Sequence, residues 1–320
     1  MTAASTLGNL QIEQALINSQ SASFPREIQH AKYIFDEREI KISYCRRPII
    51  EKIVDVFLSI IREFVFDFIL ISAKHSKRLV EPLLGIRPED TYKNQWKQTS
   101  KGLYVLIHGL KGHPHVWKKH RHCLRHQQPD HDVFVPHVVD QGNCTLEKAA
   151  NPILEKIREY AQKHPQKPIC LIGASNGGRI ATYLETQLRE KSAHTEILVS
   201  TIAGVHFGSK MLDRVNHFWL MRKLVGHTDA IRQELSFSSE RAKKLLDHVQ
   251  NPLRPETKRT YVFYGSTEDY MATDLRTTLP RVGSDKTVHY HVFHGYGHSS
   301  LVNGVRDHQL TFAQQWMNTR

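Results

Sequence analysis

A short apolar run that enters a glycine-rich turn constrains the fold of this 320-residue chain more than any other feature. The run ICLIG has no polar residue and is followed directly by ASNGG and a helical pattern. An apolar run of this kind predicts a strand buried on both faces, as in a parallel sheet. A serine at a sharp strand-to-helix turn needs a strained backbone, which the flanking glycines permit. The pattern therefore predicts that Ser175 projects above the sheet as a nucleophile.

Strand-like and helical stretches alternate after residue 100, which predicts an α/β fold with a mostly parallel central sheet and helices on both faces. The predicted strands are Leu103–His108, Val133–Val139, Pro168–Gly173, Ile197–Ala203, Tyr261–Gly265 and Val288–His294. The clearest predicted helices are Leu146–His164, Gly177–Arg189 and Val305–Met317. Residues 207–258 break the alternation, and we interpret them as a helical cap inserted over the sheet.

We predict two parts for the chain, an N-terminal extension over residues 1–100 and a catalytic domain over residues 101–320. Residues 1–30 are small and polar without periodicity, and we expect them to be mobile. Residues 49–73 are rich in Phe and Ile, but charged positions along one face interrupt the apolar run. This pattern is typical of a long amphipathic helix rather than a membrane span. Its apolar face either packs on the downstream domain or docks on a membrane or a partner.

A serine hydroxyl needs a base to take its proton, and in this type of fold the acid and the histidine follow the serine in chain order. His298 stands beside a glycine in a loop after the last predicted strand and is the candidate base. His294 lies within that strand, so we expect it to be packed or exposed. Asp269 is the preferred acid after the preceding strand, and Glu268 is the alternative.

The same chemistry requires two donors for a developing oxyanion. The N–H of Asn176, directly after the serine, is the first candidate. The second is the N–H of Leu110, in the loop HGLKG after the first predicted strand. His108 opens that loop, and the sequence leaves open whether it shapes the loop or acts as a base.

Five motifs carry a resemblance when they are read in order: LIHGLKGHPHVW, LIGASNGGRIA, STIAGVHFGSKML, YGSTEDYM and GYGHSSLV. Together they resemble the α/β-hydrolase superfamily and, more narrowly, its lipase-like branch. The resemblance covers residues 100–320. It implies Ser175 as nucleophile, Asp269 as acid and His298 as base, with Leu110 and Asn176 as oxyanion donors.

The resemblance implies a serine hydrolase that cleaves carboxylic esters through an acyl-enzyme. The basic surface and the amphipathic N-terminal helix favour lipid-type esters over small soluble ones. Val205 stands where the lipase pattern has proline, so the resemblance favours hydrolase chemistry more than it favours a lipase. The alternatives are a thioesterase or acyltransferase with the same triad, or a non-catalytic membrane or protein-interaction module. Phe218 and Trp219 in the insertion are candidate substrate-binding residues, unless they only pack on the sheet.

The formal net charge of +12 bears on partners. A basic run at residues 118–126 favours an anionic membrane surface, if it is more than a solvated face. No pattern that would read nucleic-acid bases is present, and the sequence does not indicate an oligomeric state. His113, His115, His122 and His126 have no further metal ligand in suitable spacing, so we expect no metal. The triad mechanism needs no cofactor, and no phosphate-cradling loop suggests one. Four cysteines without CxxC spacing and the lack of a signal peptide or clear membrane span predict a cytoplasmic protein, peripheral to membranes at most.

Overall fold

A computed structural model describes most of the region after residue 95 and two strands before it. The described residues are 28–35, 38–45, 50, 53, 96–189, 195–217, 226–251, 253 and 257–320. Of the predicted amphipathic helix at 49–73, only Ile50 and Ile53 are among them, so that prediction lies outside the described residues. The prediction for residues 1–30 also lies outside them, except for the start of the first strand at Ile28.

One sheet forms the centre of the described structure. Its strands are β1 (Ile28–Phe35), β2 (Arg38–Cys45), β3 (Leu103–Ile107), β4 (Asp132–Phe134), β5 (Ile169–Ala174), β6 (Ile197–Ile202), β7 (Arg259–Ser266) and β8 (Thr287–His294). The strand order is β1-β2-β8-β7-β6-β5-β3-β4. Only β1 and β2 pair antiparallel, and every other neighbouring pair is parallel. The predicted mostly parallel sheet is thus confirmed.

Helices connect these strands. They are α1 (Lys118–Gln127), α2 (Leu146–Lys163), α3 (Asn176–Leu188), α4 (Lys210–His217), α5 (Asp229–Leu235), α6 (Glu240–Gln250), α7 (Leu275–Thr278), α8 (His298–Gly304) and α9 (Arg306–Asn318). Between β6 and β7 the described residues are largely helical, in agreement with the break in alternation predicted there. None of the helices that the structure describes is long and apolar enough to cross a membrane.

Two details differ from the sequence prediction. The predicted strand Val133–Val139 is only three residues long and ends at Phe134, because Pro136 has no N–H to continue a ladder. The N-terminal extension, predicted to be helical, contributes the hairpin of β1 and β2, and β2 pairs parallel with β8. That pairing extends the sheet by two strands beyond the six that were predicted.

The side chains of β3 alternate between two apolar layers, as expected for a strand covered on both faces. Leu103, Val105 and Ile107 belong to the layer that includes α2, α3 and α6. Tyr104 and Leu106 belong to the opposite layer, with α1, α8 and α9. All five side chains are fully buried. Helices on both faces therefore hold the central strands rigidly, and the loops at the carboxyl ends of the strands are the part free to carry function.

Candidate active site

Ser175 sits between β5 and α3 in a strained conformation. Its φ of 54° and ψ of −125° lie where a residue with a side chain is rarely found. The Ser175 N–H donates to the carbonyl of Ile202 on β6 at 2.9 Å, and its own carbonyl accepts from Gly178 at 2.9 Å. Hydrogen bonds to both of its backbone groups hold the strained residue. Such strain persists at a functional site only where the surrounding structure fixes the residue in this way.

The glycines around this turn allow close approach of two backbones. A Cβ at Gly173 would overlap the carbonyl of Gly177, and a Cβ at Gly177 would overlap the carbonyl of Ile107. The start of α3 therefore packs directly on β3 and β5. Any side chain at these two positions would displace the turn that presents Ser175.

The structure brings together the three residues predicted as nucleophile, base and acid. His298 Nε2 lies 2.9 Å from Ser175 Oγ. His298 Nδ1 lies 2.8 Å from one carboxylate oxygen of Asp269 and 3.0 Å from the other. The buried Asp269 carboxylate also accepts from the backbone N–H groups of Met271 and Ala272, both at 2.9 Å. The carboxylate is thus fixed in place. Because it can only accept a hydrogen bond, the neutral imidazole carries its proton on Nδ1, and Nε2 accepts from the serine hydroxyl.

Glu268, the alternative acid, points elsewhere. Its carboxylate lies 3.1 Å from Nε2 of His294, on a partly exposed surface. Nδ1 of His294 is 2.8 Å from the hydroxyl of Thr267. The structure therefore pairs Asp269 with His298, and Glu268 with His294.

Both predicted oxyanion donors lie beside Ser175. Asn176 is the first residue of α3, and an N–H at this position has no acceptor within its own helix. Leu110 lines the cavity in front of Ser175. Among the described residues, neither backbone N–H donates to another backbone carbonyl. Both N–H groups can therefore donate to an oxygen atom of a molecule bound in the cavity.

A loop that the sequence analysis did not single out braces these two residues. Asp140, Gln141 and Gly142 have consecutive φ values of 49°, 54° and 78°. The carbonyl of Gln141 accepts from the N–H of Lys111 at 2.7 Å, directly after Leu110. The carbonyl of Gly142 accepts from the side-chain amide of Asn176 at 3.4 Å. The sequence DQGN is a turn signal, but its contacts with both oxyanion residues depend on the tertiary fold.

His108 is buried, and its ring is tied to backbone. Its Nε2 accepts from the N–H of Val138 at 3.3 Å, and Nδ1 donates to the carbonyl of Gly109 at 2.9 Å. Of the two roles left open by the sequence, these contacts favour the shaping of the loop.

A cavity of about 90 Å³ opens in front of Ser175 and His298. Its walls are mainly apolar and include Leu110, Val116, Val205, Leu212, Leu235, Met271 and Val302. The described part of the insertion contributes Ser209, Leu212 from α4, Leu235 from α5 and His227. Phe218 and Trp219, the predicted substrate-binding residues, lie outside the described residues.

A buried ion pair holds this wall of the cavity against the turn that carries the serine. Arg179 on α3 donates to Glu234 on α5 at 2.9 Å, and both side chains are almost fully buried. The other oxygen of Glu234 accepts from Arg241 at 2.6 Å. Burial alone would raise the pKa of Glu234, but the two guanidinium groups hold it below its usual value. Leu235, the next residue, is thereby fixed in the cavity wall.

The histidines considered as metal ligands form no metal site in the described part of the chain. No three His, Cys, Asp or Glu side chains converge there. His113 packs instead against the ring of His137, with centroids 4.8 Å apart.

The sequence matches no family model, and it matches no curated protein sequence. Three solved structures illustrate what the chain resembles. A lipase-esterase related protein from Clostridium acetobutylicum is 13% identical, with 68% of this chain and 96% of that chain covered and a TM-score of 0.43. The RedJ thioesterase of prodiginine biosynthesis from Streptomyces coelicolor is 15% identical, with 72% and 97% covered and a TM-score of 0.44. The lipase BlEst2 from Bacillus licheniformis is 15% identical, with 69% and 94% covered and a TM-score of 0.45.

The topology of the chain identifies its fold independently of these similarities. Six parallel strands run in the order β4-β3-β5-β6-β7-β8, with helices on both faces. A sharp turn from β5 into α3 carries Ser175, and the acid and the histidine follow the ends of β7 and β8. The chain therefore has an α/β-hydrolase fold.

Proposed function

We propose that this protein is a serine hydrolase that cleaves carboxylic esters, with Ser175, Asp269 and His298 as its catalytic triad. One observation carries the proposal: the continuous hydrogen-bonded line from Asp269 through His298 to Ser175, which ends at the cavity. A serine, an imidazole and a buried carboxylate in this arrangement have the geometry required for nucleophilic acyl transfer.

In the first step Ser175 Oγ attacks the carbonyl carbon of the ester, and its proton moves to His298 Nε2. The imidazolium that forms is stabilised by the carboxylate of Asp269, which itself stays ionised. When the tetrahedral intermediate collapses, the bond from carbon to the alcohol oxygen breaks. The alcohol leaves with the proton from His298, and the acyl group remains on the serine.

Water completes the cycle by the same route. His298 takes a proton from water as the oxygen attacks the acyl carbon, and a second tetrahedral intermediate forms. Its collapse returns the proton to Ser175 Oγ and releases the carboxylic acid. In both intermediates the N–H groups of Leu110 and Asn176 donate to the oxyanion, and each such donor is worth about 3–4 kcal/mol in the transition state.

The surroundings of the cavity support a lipid-type ester as substrate. Seven of the sixteen residues that line the cavity are leucine, valine or methionine, and these side chains suit an acyl chain. Helix α1 begins at Lys118, two residues after Val116, which lines the cavity. The helix carries an exposed basic face. That face includes Lys118, Lys119, His122, Arg125 and His126. We infer that it draws the protein to an anionic membrane surface, where such esters are found.

The triad is tested by labelling and turnover. Wild type, Ser175→Ala and the control Ser284→Ala, at an exposed serine, are treated with a fluorophosphonate probe and assayed with p-nitrophenyl acetate, butyrate and palmitate. We expect labelling and turnover in wild type and control and neither in Ser175→Ala. An acyl thioester of N-acetylcysteamine, assayed in parallel, separates an esterase from a thioesterase. Unlabelled, inactive wild type in the presence of anionic vesicles would refute the proposal.

The membrane contact is tested by vesicle flotation. We expect binding to phosphatidylcholine vesicles that contain phosphatidylglycerol, little binding without it, and weakening by salt. The double variant Lys118→Glu, Lys119→Glu should lose binding. A matched pair on α6, Lys243→Glu and Lys244→Glu, removes the same charge from an exposed surface elsewhere. Equal binding by both double variants would overturn the assignment of α1.

A further inference from the structure

His227 lines the cavity and takes no part in the proposed triad. The residue is only 7% exposed, and its Nε2 has no hydrogen-bond partner among the described residues. Burial, with the nearby Lys111 and Arg232 charges, lowers the pKa of His227 to about 4. The imidazole is therefore neutral at physiological pH and has one donor and one acceptor nitrogen.

The backbone around His227 is held firmly by Asn143. The side-chain amide of Asn143 donates to the carbonyl of Gly226 at 3.0 Å and accepts from the N–H of Thr228 at 2.9 Å. The Thr228 hydroxyl donates to the Asn143 carbonyl at 3.0 Å. The carbonyl of His227 accepts from Arg232 at 2.8 Å. His227 thus lines the cavity from a segment with a fixed backbone, next to the loop that braces the oxyanion residues.

A buried Nε2 without a partner among the described residues is unusual, because buried polar groups in proteins nearly always have one. The remaining insertion residues in this wall are Leu212, Leu235 and Ser209, and the Ser209 hydroxyl donates instead to the carbonyl of Met271. An apolar molecule in the cavity would leave the imidazole unsatisfied, whereas an oxygen on the bound molecule would satisfy it. Sites of this design discriminate strongly against analogues that lack the polar group.

We propose that His227 is a specificity-determining residue that hydrogen-bonds an uncharged oxygen, a hydroxyl or keto group, on the ester. The inference rests on the proposed function, since it concerns the substrate of that same cavity. An uncharged group is favoured because the imidazole is neutral and no Asp, Glu, Lys or Arg is among the described residues that line the cavity, so a buried ion would have no partner of opposite charge there. The oxygen belongs to the acyl part or to the alcohol part, and the experiment distinguishes the two.

Two matched pairs of esters test the proposal. For the acyl part, p-nitrophenyl 3-hydroxybutyrate is compared with p-nitrophenyl butyrate. For the alcohol part, glycerol monobutyrate is compared with propyl butyrate. The measured quantity is the ratio of kcat/KM within each pair. The ratio is taken as the ester with the extra oxygen over the ester without it. In one of the two pairs we expect this ratio to be about tenfold lower in His227→Phe than in wild type, because the variant loses one hydrogen bond to a buried group.

Variants and controls keep the test decisive. The comparison between wild type and variant cancels the intrinsic reactivity of each ester. His227→Gln keeps an N–H and a carbonyl and should restore part of the ratio. His248→Phe, at an exposed position on α6, should leave both ratios as in wild type.

The outcomes separate this inference from the function on which it rests. If wild type is neither labelled by a fluorophosphonate nor active on any of the four esters, the proposed function fails. If wild type is labelled and active but both ratios are the same in His227→Phe, the role of His227 is overturned and the hydrolase function stands.

Discussion

Two histidines in this molecule are held between the same kinds of partner in different surroundings. His298 has a carboxylate at Nδ1 and the Ser175 hydroxyl at Nε2. His206 has the backbone carbonyl of Thr277 at Nδ1, at 3.3 Å, and the hydroxyl of Thr182 at Nε2, at 3.1 Å. The pattern of atoms is the same, but His206 is fully buried while the side chain of His298 is 11% exposed and faces the cavity.

The difference shows which part of the pattern matters for chemistry. A carbonyl orients the ring of His206 but carries no charge that would stabilise an imidazolium. Burial lowers the pKa of His206 to about 4, and the neighbouring Arg179 charge acts in the same direction. His206 therefore remains neutral and connects the loop after β6 to α3 and α7. Of the two, His298 is the one that has both a carboxylate at Nδ1 and access to the cavity.

Replacing each histidine with glutamine should give the largest difference in kcat between the two positions. His298→Gln removes the base, so we expect kcat to fall by about 10⁵-fold or more, as for other triad histidines. His206→Gln should remain within about tenfold of wild type in kcat but lower the melting temperature, since it disturbs a buried hydrogen-bonded ring. The assay is p-nitrophenyl butyrate hydrolysis beside thermal unfolding. Equal loss of activity in two folded variants would break the comparison.

Asp269→Asn converts the partner of His298 into a neutral acceptor and so makes its environment resemble that of His206. The amide keeps a similar shape but no longer stabilises an imidazolium. We expect kcat to fall about 10⁴-fold at pH 7, with the fold intact. Glu268→Gln is the matched control, because its carboxylate pairs with His294 on the surface, and it should retain wild-type kcat. A larger loss in Glu268→Gln than in Asp269→Asn would reverse the assignment of the acid.

The central strands and the three candidate catalytic residues were predictable because their signals are local. Apolar runs such as ICLIG mark buried strands, and the turn around Ser175 needs glycines that are visible in the sequence. The choice between Asp269 and Glu268 was not fully determined by the same signals. Adjacent side chains in a turn point in different directions, and the turn's backbone decides which one faces His298.

Features that depend on contacts between distant segments were missed. The hairpin of β1 and β2 joins the sheet through β8, whose paired residues are 250 positions away in sequence, and no local pattern records that pairing. His227 reaches the cavity because Asn143, far upstream, holds its backbone. Its neighbours in sequence do not distinguish it from an exposed histidine.

The smallest expected effect concerns the dependence of stability on pH. The pKa of His206 is about 4 in the folded protein, against about 6.5 in an unfolded chain. Between these values the unfolded state binds the extra proton, so the free energy of unfolding falls as pH drops from about 6.5 to about 4. Above pH 7 the ring is neutral in both states, and this contribution does not change. His206→Gln should therefore flatten the slope in this window by up to about 1.4 kcal/mol per pH unit.

Urea unfolding at pH 7.5, 6 and 5 measures that slope. Part of it should persist in His206→Gln, because burial also lowers the pKa values of His120 and His227, to about 3 and about 4. His248→Gln, at an exposed site on α6, provides a control that should leave the slope unchanged. Parallel curves for wild type and His206→Gln would mean that His206 binds its proton equally in both states. Its burial would then not keep it neutral, and the contrast with His298 would rest on the carboxylate alone.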